Sequence, residues 1–405
     1  MGEWVVFQGD CIDSMKEMED SSIDSIVCDP PYAIEFMSHA WDSHGDGLTF
    51  QEWCTEWGKE ALRVLKPGGH MLAFGGTRTF HRLISGIEDA GFEIRDCLMW
   101  VHGQGFPKSK NVALAIDKKE GGPNRGRAIP TASTHLPNGK YKQGGEKLTG
   151  NRVGPYEPQT EDAKKWNGWG TALKPSWEPI VVARKPLMGT VAANVVAHGT
   201  GAINIDECRI GNETIRINRL EQWSGFGQIV RPDYETTEVT GRWPANVALT
   251  HNEDCEDECT AGCPIALMDL QSGDVGNGWK TNYGEKYAEQ GLQYGGGSFG
   301  GGGFKGNSTY ADSGGASRFF FCAKATKKEK GADNDHPTVK PIRLMQWLVR
   351  LVTPPDGIVL DLFMGSGTTG VAAIMEGYNF VGCEMDDHYI NISERRMQEA
   401  EDAKE

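Results

Sequence analysis

No stretch of this 405-residue chain approaches the roughly 18 consecutive apolar residues that a membrane-spanning helix needs, so a helical membrane protein is excluded. The opening "MGEWVVFQGD" lacks the basic residues that lead a secretory signal, and a cytoplasmic location is expected. Positive charge is also scarce, with 41 Lys and Arg against 56 Asp and Glu and a formal net charge of −15. That deficit argues against a polyanionic partner, because phosphate binding relies on Lys and Arg releasing counterions. A disulfide framework is missing as well. Cys28, Cys97 and Cys383 stand singly within apolar strand-like runs, as reduced thiols acting as small hydrophobes do. No helix-turn-helix or finger pattern marks residues that would read bases, so no recognition sequence follows.

The average charge conceals an uneven distribution. Residues 1–50 carry eleven acids and one lysine, whereas residues 103–175 carry thirteen Lys or Arg and six acids, interleaved with Trp166 and Trp169. A basic, Gly- and Pro-rich insertion in an acidic protein suits a loop that tracks a phosphate backbone, and equally a solvated, disordered loop.

At 405 residues the length favours two or three domains. "WVVF" reads as a strand, residues 11–19 as a helix and "SIVC" as a strand. "TFQEWCTEWGKEALRVL" then reads as an amphipathic helix closed by Lys66-Pro67-Gly68-Gly69. A strand at "HMLAFGG", a helix over 78–90 and a strand at "FEIRDCLMW" follow, the alternation of an open parallel sheet with helices on both faces. Periodicity fades after residue 103, returns as one strand over 176–185 and fades again through a Gly-rich loop at 291–305. It resumes after 336 with a helix over 341–353, the strand "GIVLDLF", a helix after Gly367, the strand "NFVGCE" and a helix over 387–402. One large inserted region therefore separates two α/β portions.

Two stretches carry chemistry. After the buried strand Ser25–Cys28, Asp29 is followed by Pro30, Pro31 and Tyr32, so the chain leaves the sheet through two residues that lack backbone donors and hold φ near −65°. In "DLFMGSGTTG", Gly365, Gly367 and Gly370 have the spacing that permits a tight strand-to-helix turn and close ligand approach. Glu384 ends the next strand, where an acid can accept from ribose hydroxyls. A dinucleotide site needs a second nucleotide-binding half, and the chain after Glu384 reads as one helix. A ligand with a single nucleoside fits better.

"DPPY" at 29–32, "HPTVKP" at 336–341 and "DLFMGSGTTG" at 361–370 together resemble the amino-group DNA methyltransferases that use S-adenosylmethionine. Their order, with the catalytic motif first and the glycine motif last, is similar to that of the circularly permuted β class. "GRWPANV" and "GGASRFFFCAKA" resemble the variable region of phage- and prophage-borne members. The resemblance covers residues 5–115, 174–200 and 318–400. It implies a circularly permuted Rossmann-like α/β fold, with a mostly parallel sheet, helices on both faces and a large inserted target-recognition region. The expected divisions are a catalytic half at 1–102, a basic DNA-contacting insertion at 103–175 and a returning strand at 176–186. A target-recognition region at 187–335 and a cofactor-binding half at 336–405 complete them.

The resemblance also implies roles. Asp29 and the Pro30 carbonyl would accept the two hydrogens of an exocyclic amine, a poor nucleophile whose lone pair must be turned toward the methyl donor. The prolines would fix that geometry and Tyr32 would stack on a base flipped out of double-stranded DNA. Asp361, Phe363, Gly365, Ser366, Gly367 and Thr368 match the cofactor motif, Glu384 the ribose acid and Asp10 the acid at the cofactor's adenine amine. His336, Thr338 and Lys340 lie in the segment that flanks the cofactor. Asp at the first motif position leans toward adenine N6. Cytosine N4 and a catalytically silent DNA-binding protein are the alternatives. A homodimer and a cognate restriction enzyme are the further partners implied.

One motif stands apart. "HNEDCEDECTAGCP" spaces His251, Cys255, Cys259 and Cys263 four residues apart, within the range of zinc ligands. A structural zinc there would supply folding energy where apolar residues are few, provided a bend near Gly262 lets all four converge. The alternative is a run of partly buried thiols in an acidic loop.

Overall fold

The computed structural model describes residues 2–34, 42, 47–103, 105, 109–120, 156–218, 223–224, 227–228, 236–255, 258–260, 262–273, 314–324, 329, 331 and 333–404. The Gly-rich stretch 291–305 and the centre of the basic insertion, 121–155, lie outside them. The chain divides into two compact units, Met1–Gln104 with Trp177–Glu405, and Gly105–Ser176.

The larger unit is built on a nine-stranded sheet: β1 (Trp4–Gln8), β2 (Ile23–Cys28), β3 (Leu65–Phe74), β4 (Glu93–Val101), β5 (Trp177–Arg184), β10 (Val247–Thr250), β11 (Phe321–Ala323), β12 (Ile358–Asp361) and β13 (Asn379–Glu384). Its strand order is β1-β13-β12-β2-β3-β5-β4-β10-β11. β5 runs antiparallel to β3 and β4, and every other pairing is parallel. This is the mostly parallel α/β sheet that the alternating pattern predicts. Between β5 and β10 lie two antiparallel pairs, β6 (Ile210–Asn218) with β9 (Thr236–Arg242) and β7 (Trp223–Ser224) with β8 (Gly227–Gln228).

Alternation along the central strands sends side chains to two cores. Val27, Leu72, Phe74, Ile180 and Val182 face one side and meet helices α8 (Ile342–Val352) and α9 (Thr368–Glu376). Ile26, Cys28, Met71, Ala73, Val181 and Ala183 face the other and meet α2 (Gly47–Val64) and α3 (Phe80–Asp89). Helix α2 presents Phe50, Cys54, Trp57, Ala61 and Val64 to the sheet, a stripe at helical spacing. Each large apolar side chain so buried contributes about 1.5–3 kcal/mol. Helices α1 (Cys11–Lys16), α6 (Val191–His198), α7 (Pro264–Ser272) and α10 (Asp387–Asp402) also belong to this unit. No helix among the described residues is long and apolar enough to cross a membrane.

Lys66-Pro67-Gly68-Gly69, expected to close α2, begins β3 instead. The reason is tertiary. Gly68 donates to the Lys185 carbonyl and Lys185 to the Gly69 carbonyl, and the buried Asn194 amide donates to the Pro67 carbonyl, so the segment is paired as strand.

The smaller unit holds α4 (Val112–Lys119) and α5 (Glu161–Lys165). Its centre is the buried Asp117 carboxylate, which accepts from the Tyr156 hydroxyl at 2.6 Å and from the Gln159 and Thr160 backbone N–H groups at 2.9 Å. Trp169 is largely exposed and lies edge-on to Trp166 at 5.1 Å.

Candidate active site

Parallel strands bring their carboxyl ends to one edge of the sheet, where an open α/β fold binds its ligands. Asp10 follows β1, Asp29 follows β2, Asp361 ends β12 and Glu384 ends β13. The adjacency of β12 and β2 in the sheet therefore joins two motifs separated by more than three hundred residues.

The Asp29 carboxylate lies at the head of a polar cluster walled by aromatic rings. Lys340 Nζ donates to Asp29 Oδ2 at 2.6 Å and lies 3.3 Å from Glu178 Oε2. The Tyr32 hydroxyl lies 2.7 Å from Asp29 Oδ1 and 2.9 Å from Glu178 Oε2. A phenol has one proton, so its hydroxyl donates to one of these two carboxyl groups at a time. Burial raises the Asp29 pKa, with Glu178 adding to the effect and the Lys340 charge opposing it. For Lys340, burial works against the charge, but Asp29 and Glu178 outweigh it and the ammonium keeps its proton. The same Nζ stands 4.9 Å from the ring centre of Phe74, 5.6 Å from Tyr32 and 5.7 Å from Trp100. The cluster so holds a cation among two carboxyls and three ring faces.

The loop after Tyr32 is held from outside the motif. Asp42 accepts from the backbone N–H groups of Tyr32, Ala33 and Ile34 at 2.7, 2.8 and 3.1 Å, and the Thr79 hydroxyl donates to the Tyr32 carbonyl at 2.7 Å. Pro30 is buried and Pro31 partly so.

The second cluster forms around the glycine turn. Gly365 and Gly367 have φ of +51° and +78°, a region other residues rarely enter. The Gly365 N–H donates to Glu384 Oε2 at 2.7 Å, and a Cβ on Gly365 would come within 2.8 Å of His336 Nε2. Asp361 accepts from the Phe363 N–H and the Thr369 hydroxyl, and burial pushes its pKa up to about 7. Arg396 of α10, buried, donates to the Ser366 carbonyl and to the Thr368 hydroxyl, and so fixes the turn from below. Asn334 bonds the Ser366 hydroxyl at 3.1 Å. Asp10 caps α1 by accepting from the Ile12 N–H at 2.8 Å, and Gly9 donates to the Glu384 carbonyl. Phe363 is half-buried against Trp53 and Trp57.

The structure thus joins Asp361, Phe363, Gly365, Ser366, Gly367, Thr368 and Glu384 with His336 and, through the Thr338 N–H to His336 Nδ1, with Thr338. Lys340, of the same segment, has its ammonium on Asp29. Sequence reasoning missed Glu178, Asp42 and Arg396. "SWEPIVVAR" offers a polar residue at the start of a buried strand as the one signal for Glu178, and nothing local marks the other two.

This turn suits a cofactor with one nucleoside: Gly365 and Gly367 leave its backbone without side chains, His336 closes against Gly365, and Glu384 is anchored by three backbone donors, from Gly365, Met385 and Asp386.

His251, Cys255, Cys259 and Cys263 converge away from both clusters. Their ligand atoms all lie within 4.8 Å of one another. His251 directly follows β10, Cys263 precedes α7, and Gly262 turns between them with φ +83°, so no single helix carries the four.

A family model described as DNA methylase (N6_N4_Mtase) matches residues 23–395. The Type II methyltransferase M.HindIII of Haemophilus influenzae is 22% identical over 431 residues, covering 97% of this chain and 94% of its own. The Type II methyltransferase M.BglI of Bacillus subtilis is 44% identical over 66 residues, 16% of this chain and 19% of its own. Among solved structures, the cytosine-N4-specific PvuII DNA methyltransferase aligns with 99% of this chain and 91% of its own, at 14% identity and a TM-score of 0.45.

Proposed function

This chain belongs to the N6/N4 DNA methylase family, a DNA methyltransferase acting on exocyclic amines, and on that premise we propose that it methylates adenine N6 at specific DNA sites. The observation that carries the reading is the Asp29 cluster at the carboxyl end of β2, beside a glycine turn at the end of β12.

S-adenosylmethionine supplies a sulfonium methyl in this chemistry. The residues that would hold it are Asp10, Phe363, Gly365, Ser366, Gly367, Thr368 and Glu384, with Asp361, His336 and Thr338 shaping the turn. The target amine must be made nucleophilic by hydrogen bonds, since a carboxylate cannot deprotonate it. Asp29 and the Pro30 carbonyl accept its two hydrogens, and each charge-assisted bond is worth about 1.5–3 kcal/mol. Methylation turns the amine into a cation. Two carboxyl groups, Asp29 and Glu178, stand here against the single ammonium of Lys340, and an ionised Asp29 favours that cation over the neutral ground state. Of the rings around Lys340 the partly exposed Tyr32 offers a flat face to a base, and because the target amine lies inside a duplex the nucleotide must be flipped out, at a cost of a few kcal/mol that contacts elsewhere on double-stranded DNA offset. Lys110, Lys118, Lys119, Lys164, Lys165 and Lys174 of the smaller unit, with Trp166 and Trp169, are the candidates for those contacts. The His251 cluster lies apart from these residues and takes no part in the transfer.

The first residue of the DPPY motif favours adenine. The test is mass spectrometry of nucleosides from DNA incubated with the protein and S-adenosylmethionine bearing a deuterated methyl group. Labelled N6-methyladenine is the expected product. Labelled N4-methylcytosine would overturn the choice of base, and DNA without label would overturn the assignment of activity.

A further inference from the structure

We propose that His251, Cys255, Cys259 and Cys263 bind one zinc ion as a closed structural site, and that this ion positions Trp100 in the wall of the Asp29 cluster. The second half rests on the functional reading above; the first does not.

The donor atoms already have the spacing of a coordination shell. His251 Nδ1 lies 3.3 Å from Cys259 Sγ and 3.5 Å from Cys263 Sγ. Tetrahedral zinc with Zn–S of about 2.3 Å and Zn–N of about 2.0 Å sets its donors roughly 3.5–3.8 Å apart. Three thiolates and one imidazole suit zinc better than a hard cation, and four protein ligands leave no open position for catalysis. The support expected behind such ligands is present. The Thr260 N–H points at Cys255 Sγ at 3.3 Å, a donor that favours thiolate, while the Cys255 and Cys263 N–H groups close tight turns onto Asn252 and Thr260. The local core is small: its buried members are Leu249, Cys255, Cys263 and Ile265, two of them ligands, with partly buried Val101, Val247, Met268 and Phe320 around them, and a metal bound there adds folding energy.

From the zinc ligands a short path leads to the cluster at Asp29. His251 donates its backbone N–H to Ala323, which locks the ends of β10 and β11 together. The preceding residue, Thr250, accepts from Trp100 Nε1 at 2.6 Å through its buried hydroxyl. The Trp100 ring is one of the three around Lys340, whose Nζ bonds Asp29. On the same strand end, a Cβ on Gly103 would stand 3.0 Å from Pro264, the first residue of α7. Loss of the ion frees His251 and Cys263 from each other, loosens the end of β10 and removes the brace on Trp100. Thr250 is therefore a positioning residue.

The experiment uses the full-length protein, expressed in zinc-replete medium and purified without chelator. Atomic emission should give about one zinc per chain. A content near zero overturns the site. Cys259 is exposed, so Cys259→Ala tests the shell with little risk to folding. It should lower the zinc content severalfold, with Cys259→His restoring it, and an unchanged content in Cys259→Ala overturns the shell. Hydrogen exchange of the peptide spanning residues 96–103 should accelerate at least severalfold on chelation and recover with added zinc. Exchange that ignores the metal overturns the coupling to Trp100. Thr250→Val should keep zinc and cofactor affinity and lower kcat severalfold with KM little changed, and Thr250→Ser should recover it. A Thr250→Val protein with unaltered kcat would overturn the positioning role. Zinc content and exchange are read without any methyl transfer, so if they respond as expected and no DNA is methylated, the zinc site stands and the functional reading fails.

Discussion

Lys340 and Asp29 are separated by 311 residues, and their side chains meet at 2.6 Å inside a cage of aromatic rings. Burial and Glu178 raise the Asp29 pKa, while the ammonium charge, with the Tyr32 hydroxyl bond beside it, favours the ionised form. An Asp29 that accepts amine hydrogens must be ionised, so activity rises with pH through its pKa. Lys340→Met should move the acid limb of the kcat/KM profile to higher pH. A limb that stays in place or moves to lower pH would detach Lys340 from the ionisation of Asp29.

Asp29→Ala separates chemistry from cofactor binding. Asp29 has no hydrogen bond to the glycine turn, and its partners are Tyr32 and Lys340. Methyl transfer should fall below detection while the Kd for S-adenosylmethionine, measured by titration calorimetry, stays within about threefold, well under 1 kcal/mol. Lost cofactor affinity would move Asp29 to the other cluster.

Glu178→Gln keeps shape and removes charge. The Tyr32 hydroxyl and Lys340 each lose a charged partner, although both retain Asp29. The expected loss in kcat is about ten- to a hundredfold, as for one charge-assisted bond in a buried network. Cofactor affinity serves as the control, and an equal drop in both quantities would mean that the substitution disturbs the sheet.

What could be read along the chain was whatever lies contiguously in it. DPPY, the glycine turn and the Cys/His spacing are local, and each appears where its local pattern predicts. Glu178 becomes a partner of Tyr32 through the antiparallel insertion of β5 beside β3, a pairing across 146 residues that no short window contains. The contact of Lys340 with Asp29 is non-local in the same way: its segment touches the glycine turn at His336 and the Asp29 cluster four residues later. β10 and β11, of four and three residues, are too short for periodicity to register, and parallel pairing within the sheet determines them.

Gly367→Ala tests the turn itself. At φ +78° an alanine is strained, and its Cβ would stand 2.6 Å from the Ser393 Cβ on α10, which Arg396 ties back to the turn. Strain of about 1–3 kcal/mol should appear as a lower Tm. The displaced turn should weaken S-adenosylmethionine by at least about tenfold, or 1.4 kcal/mol. If the Tm falls and cofactor affinity does not, the turn supports the fold without touching the ligand.

Asp361 gives a stability signature with a definite sign. Its carboxyl sits near 3.9 in an unfolded chain, and burial raises it to about 7 in the folded protein. The native state therefore holds this proton more tightly than the unfolded state. Between pH 4 and 7, unfolding releases it, so this group's contribution to stability falls as pH rises through that window and is constant above it. The full shift corresponds to at most about 4 kcal/mol. Asparagine can still accept from the Phe363 N–H and can donate to the Thr369 hydroxyl, but it does not titrate. The stability of Asp361→Asn relative to the wild type should therefore increase from pH 5 to pH 8 in denaturant titrations. A difference that is flat across this range would mean that Asp361 ionises at its ordinary pKa, with its charge held by Phe363 and Thr369 despite burial.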